Sequence, residues 1–311
     1  MSPKAVYYWE MSRNILIYCV LLATSAFAQD TVVKRPDIVG VAHIGLKTND
    51  LAAARNFYGR DLGFAEAFTL DKTSGGLLLT YFKVNDHQYI EVFPELKSET
   101  EDRLSHIAFE TTDARQLRDY LAAHGVKVPD TVRPGRDGNL SFMIQDPDGH
   151  NVEFMQYLPG SLHTSNFGKF LPDSRISTHM IHVGVTVASQ EAADRLYRDV
   201  LGFRETWHGG MQDDRTDWVD MRVPEGTDWL EYMLNVHNPS PRTLGVMHHL
   251  ALGVPSVAAG YKTLTERGMQ IEQPKIGRDG KWQLNLYDPN KTRAELMEPK
   301  PVATPCCSPM K

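Results

Sequence analysis

Short runs with a two-residue apolar period recur along the chain, and four of them carry a histidine. They are Val41-Ala42-His43-Ile44-Gly45-Leu46, Leu104-Ser105-His106-Ile107-Ala108-Phe109, Met180-Ile181-His182-Val183-Gly184-Val185 and His248-His249-Leu250-Ala251-Leu252-Gly253. After the first run the period becomes helical: Asn49-Asp50 can cap, and Leu51, Ala54, Phe57 and Tyr58 share a face before Leu62-Gly63-Phe64 ends the segment. Strand-like runs follow at 65–70, 76–84 and 88–93, separated by turn residues. The second block predicts a helix at 113–124 and strands at 140–145 and 151–157 around the turn Asp146-Pro147-Asp148-Gly149. The third predicts a helix at 189–200 ending at Leu201-Gly202-Phe203, then strands at 217–223 and 228–234; the fourth, a helix at 257–267 and strands at 281–287 and 292–297.

Self-similarity of this kind is the mark of duplication. The expected fold is α+β, four β-α-β-β-β modules joined in pairs. The loop Gly135-Arg136-Asp137-Gly138 returns as Gly277-Arg278-Asp279-Gly280, so the pairs themselves are related. Residues 36–158 and 178–299 are the expected domains, 159–177 a linker rich in Pro, Gly, Ser and Asn, and 300–311 a Pro-rich tail.

Each opening histidine is followed 46 to 49 residues later by a glutamate in a matching strand: His43 by Glu91, His106 by Glu153, His182 by Glu231 and His249 by Glu295. A carboxylate inside an apolar strand either faces water or needs a partner when buried. Four such residues, each at fixed distance from a histidine, favour convergence. Two His and two Glu form a ligand set for a divalent metal with open positions. His179, His208, His237 and His248 have no repeat partners and are expected at the surface or behind the ligands, His248 being the one next to His249. Trp207, Trp218, Trp229 and Trp282 gather in the second half, where they either line an aromatic pocket or fill the core or cover the interface between halves. Arg136 and Arg278 either hold their loops or meet an anionic substrate.

Composition narrows the field. With 311 residues, 41% hydrophobic and 23% charged, the chain can bury two cores. A net charge of -6 provides no basic footprint for nucleic acid. Residues 1–28 read as a signal peptide: Lys4 and Arg13 precede an apolar stretch from Ile15 to Phe27, and Ala26-Phe27-Ala28 is a cleavage pattern. That stretch is short for a span, so export to the periplasm or medium without a lasting membrane anchor is expected. Of three cysteines, Cys19 lies in this segment and Cys306 and Cys307 in the tail, which points to no disulfide framework and to an intermolecular link or two idle thiols on a loose tail.

The motifs carry a family resemblance. His43-Ile44, Ala54-Arg55-Asn56-Phe57-Tyr58 and Leu62-Gly63-Phe64 resemble the opening motif of glyoxalase I, with Thr48 where that motif has Ile or Val. The third block follows it through His182, Val187, Tyr197 and Leu201-Gly202-Phe203, with Leu196 in place of Phe. Ser105-His106-Ile107-Ala108 and Asp146-Pro147-Asp148-Gly149 with Glu153 resemble the second opening and closing motifs. The chain is thus similar to a two-domain member of the vicinal oxygen chelate superfamily, which includes glyoxalase I, extradiol dioxygenases and bleomycin resistance proteins.

That resemblance implies curled mixed sheets and two metal sets, His43, Glu91, His106, Glu153 and His182, Glu231, His249, Glu295. It implies one or two divalent ions per chain, with Fe, Mn, Ni, Co and Zn all compatible. It further implies a small substrate with vicinal oxygens and a monomeric or homodimeric protein. Three functions stay open. The first is a lyase or isomerase using Glu91, Glu231 or their partners Glu153 and Glu295 as base. The second is an Fe(II) extradiol dioxygenase, whose closing motif carries a His and a Tyr that this chain lacks before Asp146; Tyr287 is displaced next to Asp288. The third is a sequestering protein of the bleomycin resistance kind. Whether each metal set lies within one half or is exchanged between halves is open at this point.

Overall fold

The run at Ile38–Lys47 forms the first strand, β1, and its two faces do different work. Ile44 and Leu46 join Phe57 and Tyr58 of the following helix in the apolar core, while alternation turns His43 and Gly45 to the opposite face. The computed structural model describes residues 33–311. The expected signal segment 1–28, Cys19 and with them the basis for export lie outside the described residues.

The first half continues with β2 (Ala65–Asp71), β3 (Leu77–Lys83), β4 (Tyr89–Phe93), β5 (Leu104–Thr111), β6 (Arg133–Pro134), β7 (Leu140–Gln145) and β8 (Asn151–Gln156). The second contains β9 (His179–Thr186), β10 (Arg204–Gly209), β11 (Trp218–Arg222), β12 (Trp229–Met233), β13 (His249–Gly253), β14 (Lys275–Ile276), β15 (Trp282–Tyr287) and β16 (Arg293–Met297). Each half is one curled eight-stranded mixed sheet, in the orders β2-β3-β4-β1-β5-β8-β7-β6 and β10-β11-β12-β9-β13-β16-β15-β14. The α+β class with paired modules expected from the repeats, and the curled sheets implied by the resemblance, are the ones observed.

Helices cover the convex faces. In modules one and three the helix starts as α (Leu51–Ala54, Gln190–Asp194), capped by the side chains of Asp50 and Ser189, and widens to π geometry (Arg55–Asp61, Arg195–Val200). Both then stop at a glycine with φ near +80°, Gly63 and Gly202. Modules two and four carry regular helices, Ala114–Ala123 and Val257–Glu266.

One continuous core joins the halves, and reciprocal bonds cross between them. Tyr58 of the first half donates to Asp288 of the second at 3.0 Å, and Tyr197 donates back to Asp146 at 3.1 Å. The two turns differ in one detail: Gly149 sits at φ 87° in the first, and Lys291 takes the left-handed conformation in the second, φ 68°. A lysine pays a small steric penalty there that glycine avoids.

Two segments are more ordered than the sequence suggests. The stretch before β13 contains a helix, Pro241–Met247, with Ser240 as cap and Pro at its first turn. The tail is docked: Val302 and Ala303 bond Gly280, Ser308 bonds His208, and Lys311 bonds Thr206. Cys306 and Cys307 are free thiols, on a packed tail instead of a loose one. Among the described residues no helix is long and apolar enough to cross a membrane.

Candidate metal centres

Strand register builds the same constellation twice. Gly45 on β1 lies beside Glu91 on β4 and beside His106 on β5, while His43 lies opposite Ala108, which neighbours Glu153 on β8. In the second half Gly184 lies between Glu231 and His249, and His182 opposite Ala251, which neighbours Glu295. Two large donors therefore flank a glycine, and two flank an alanine. A Cβ on Gly45 would collide with the His106 ring, and one on Gly184 with the His249 ring. Glycine inside a strand at these positions is what lets the ring cross the sheet face. All eight residues singled out in the sequence come together as two sets of four, each within one half.

In the first half the donors are tightly gathered. His43 Nε2 is 2.8 Å from His106 Nε2 and 3.1 Å from Glu153 Oε2; Glu91 is 3.5 Å from both rings. Two imidazole nitrogens face each other at hydrogen-bond distance with carboxylates on either side. That arrangement is satisfied by a cation shared among them, and the donor types suit a borderline divalent ion.

The mouth of this cup is filled. His163, from the short linker helix Leu162–Ser165, is completely buried with its ring centroid 4.6–5.3 Å from those of Phe68, Tyr81, Tyr89 and Tyr157. Asn139 donates to its Nδ1 at 2.7 Å, and its Nε2 is buried without a partner. Burial pushes the His163 imidazole down to about 3, so it is neutral.

The second half keeps the donors and empties the cup. His182 Nε2 and His249 Nε2 are 3.1 Å apart, and Glu231 Oε2 lies 3.0 Å from His249 and 3.9 Å from His182; Glu295 is 3.9 Å from His182. Beside them is a cavity of about 310 Å³ walled by Trp207, Trp218 and Trp229 and reached by Asp220, Asn285 and Arg293. Register shows what changed: Asp220 opposes Glu231 as Tyr81 opposes Glu91, and Trp229 stands beside His182 as Tyr89 stands beside His43. Trading the Tyr81 ring for a carboxylate opens the space. Of the four clustered tryptophans, three line the pocket and Trp282 packs on the core.

Electrostatics differ accordingly. In the first half burial would lower His106, but its bonds to Glu153 and Glu91 prevail and raise it to about 10. Glu153, despite burial, is held well below the usual carboxylate range by His106 and His43. This is an ion-paired cluster. In the second half burial lowers both His182 and His249, with Arg293 adding to the effect, and burial raises Glu295 to about 7. There His249 donates Nδ1–H to Met247 O at 2.8 Å, which leaves the Nε2 lone pair facing the cluster. Arg293 Nη2 donates to that lone pair at 2.8 Å.

The sequence model of the Glyoxalase/Bleomycin resistance protein/Dioxygenase superfamily matches residues 40–154 and 179–296. The chain belongs to this superfamily. It is similar to an iron-dependent extradiol dioxygenase of Rhodococcus jostii (strain RHA1), 29% identical over 177 residues, which are 54% of this chain and 55% of that protein. The match thus spans about half of that relative's length. Among solved structures it resembles the Mn(II)-bound glyoxalase from Novosphingobium aromaticivorans, with a TM-score of 0.65, 18% identity, and 85% and 83% of the two chains covered. It also resembles a variant of homoprotocatechuate 2,3-dioxygenase from B. fuscum, with a TM-score of 0.64, 19% identity, and 86% and 72% covered. The cofactor these donors fit is a divalent metal, one or two ions per chain, with two His/His/Glu groupings available to hold it.

Several contributors escaped the sequence reading. Gly45 and Gly184 were visible as strand glycines two places after a histidine, a spacing that signals close approach. Asp220, Asn285 and Arg293 carry no repeat signal, because their counterparts Tyr81, Met143 and Asn151 are different residues. His248, expected at the surface or behind the ligands, is buried and bonds Asp102 and Thr186 between the halves. Arg136 bonds Asp71 O; Arg278 bonds Gly210 O and Asp213 and lines the cavity, so both hold loops.

Proposed function

We propose that this chain is a metal-dependent lyase or isomerase whose substrate site is the second-half cavity, with His182, Glu231, His249 and Glu295 as metal ligands and Glu231 as base. A divalent cation there supplies Lewis acidity to the vicinal oxygens of a small substrate, easing loss of the adjacent C–H proton. The observation that carries the reading is the second carboxylate. Glu231 lies 3.0 Å from His249 Nε2, on the far side of the cluster from Glu295, so each set offers four protein donors instead of three. Four donors leave positions for two substrate oxygens and little room for dioxygen besides. Glu231 is partly exposed to the cavity and can receive the proton and return it to a neighbouring carbon. The tryptophan walls hold a planar substrate body.

In this proposal the first half holds metal behind its aromatic plug and does not turn over. The test is proton exchange. Metal-loaded protein in deuterated water, given a 2-hydroxy carbonyl compound, should wash deuterium into the adjacent carbon. Glu231→Gln should slow this by about 10²–10⁴-fold, and Glu91→Gln should leave it near the parental rate. Exchange lost equally in both variants would sink the assignment.

A second reading, an extradiol dioxygenase, is favoured by the name of the Rhodococcus relative and by the His182, His249, Glu295 triad taken without Glu231. Oxygen consumption with a catechol, undiminished by Glu231→Gln, would establish it over the lyase.

A further inference from the structure

We infer that the second-half cavity selects substrates carrying a carboxylate next to the reacting oxygens, and that Arg293 is the residue that recognises it. This deepens the proposed function and rests on the cavity being the substrate site.

Arg293 stands two residues before Glu295 on β16, so strand alternation puts both on the cavity side. Its counterpart is Asn151, two residues before Glu153, whose amide donates to Ser105 O at 3.1 Å. The fold thus needs no charge at this position. A guanidinium here is an addition particular to the second half.

That guanidinium is poorly satisfied. Its Nε is buried without a partner, no carboxylate among the described residues lies within ion-pair distance, and its one bond is the 2.8 Å contact from Nη2 to His249 Nε2. A half-buried guanidinium whose one bond is to an imidazole nitrogen lacks the counter-charge that ordinarily offsets its desolvation. The planar fork of an arginine matches the two oxygens of a carboxylate in bidentate geometry. The bond to His249 also occupies the lone pair a metal would use, so a cation entering the cluster obliges Arg293 to find another acceptor. The substrate's carboxylate, arriving at the same place, supplies it.

The chemical class follows: a small 2-hydroxy or 2-oxo carboxylate with an aromatic or otherwise planar body, the body lying among Trp207, Trp218 and Trp229. A neutral diol meets the tryptophans equally well and leaves the guanidinium unpaired.

The experiment compares mandelate with the neutral mandelamide on the metal-loaded protein, binding being read from tryptophan fluorescence and calorimetry. Mandelate should bind about 10–100-fold more tightly, the range of a charge-assisted hydrogen bond. Arg293→Gln should bring the two ligands within about threefold by weakening mandelate alone, and Arg293→Lys should keep part of the difference. Circular dichroism and metal content of the variants check that the fold and the ligand set survive. Equal binding of mandelate and mandelamide by the parent protein overturns the inference, and so does a preference that persists in Arg293→Gln. Because the readout is binding, it separates from the reaction: Arg293-dependent selectivity without deuterium exchange would retire the lyase reading and leave the carboxylate site standing.

Discussion

Asp220 offers a quantitative check on the asymmetry between the halves. Its side chain is 3% exposed, accepts no hydrogen bond from the described residues, and sits near Glu231, Asp279 and Glu295, with Lys281 as the compensating cation. Lys281 is itself committed, with Asp279 at 3.4 Å and the Trp229 ring at 4.7 Å. Burial first, and the charge of Glu231 next, push the Asp220 carboxyl well above its ordinary range. An acid with a raised folded pKa holds its proton more tightly in the native state. Its contribution to stability is therefore fully present below the unfolded value, about 3.9, and is lost as pH rises through the folded value. Asp220→Asn keeps the shape and removes the titration. In the metal-free protein the variant should match the parent near pH 4 and exceed it by about 1–3 kcal/mol at pH 8, the extra cost of a buried charge over a buried neutral amide. For a chain of this size that is a rise in Tm of about 2–5 °C. Melts followed by circular dichroism at several pH values measure it. A gain that is the same at pH 4 and pH 8, or no gain at either, would refute the argument that an unpaired carboxylate is buried there.

Gly45→Ala should cost the first half its metal by driving the His106 ring from the cluster, and Gly184→Ala should do the same to the second through His249; elemental analysis of metal per chain separates them. His163→Ala should destabilise the protein by about 2–4 kcal/mol in urea titrations, since it empties a site packed by four aromatic rings, and should leave proton exchange in the second half unchanged. His150 is lowered by burial but raised overall by its 2.9 Å bond to Asp146, so its contribution to stability is full below about 6.5 and fades as pH rises through the higher folded value. His150→Gln should accordingly cost about 1 kcal/mol near pH 5.5 and much less near pH 9, in the same urea assay.

The donors could be read from the chain because spacing survives duplication: a histidine and a glutamate recur in four strands, and a shared register carries that recurrence into space. The fold class followed from the same regularity, as did the turns at Asp146 and Asp288. The walls of the cups are another matter. Phe68 and Trp207, or Tyr81 and Asp220, hold matching places, yet nothing in either residue alone says that one cup is filled and the other hollow. The plug was equally hidden, since His163 lies in a linker whose composition suggests an irregular strand of chain and whose one helical turn spans only Leu162–Ser165. Its role depends on five rings meeting, a tertiary fact. The Pro241–Met247 helix was recoverable in principle from Ser240-Pro241, a cap followed by a first-turn proline.

Identical ligand sets need not make equivalent sites, because affinity and chemistry depend on what stands behind the ligands. In the first half His106 is held in its charged form by two carboxylates, so a metal must displace a proton from an imidazole that keeps it tightly. In the second the imidazoles are already neutral, and the obstacles are the guanidinium of Arg293 on His249 and a proton on Glu295. An imidazole proton buried under an aromatic plug leaves for solvent only when an entering cation displaces it. A guanidinium at the edge of a cavity can be drawn off by a ligand that enters from outside. The first arrangement suits an ion that stays, and the second suits a centre whose readiness depends on what occupies the cavity, which is the property a catalytic site requires.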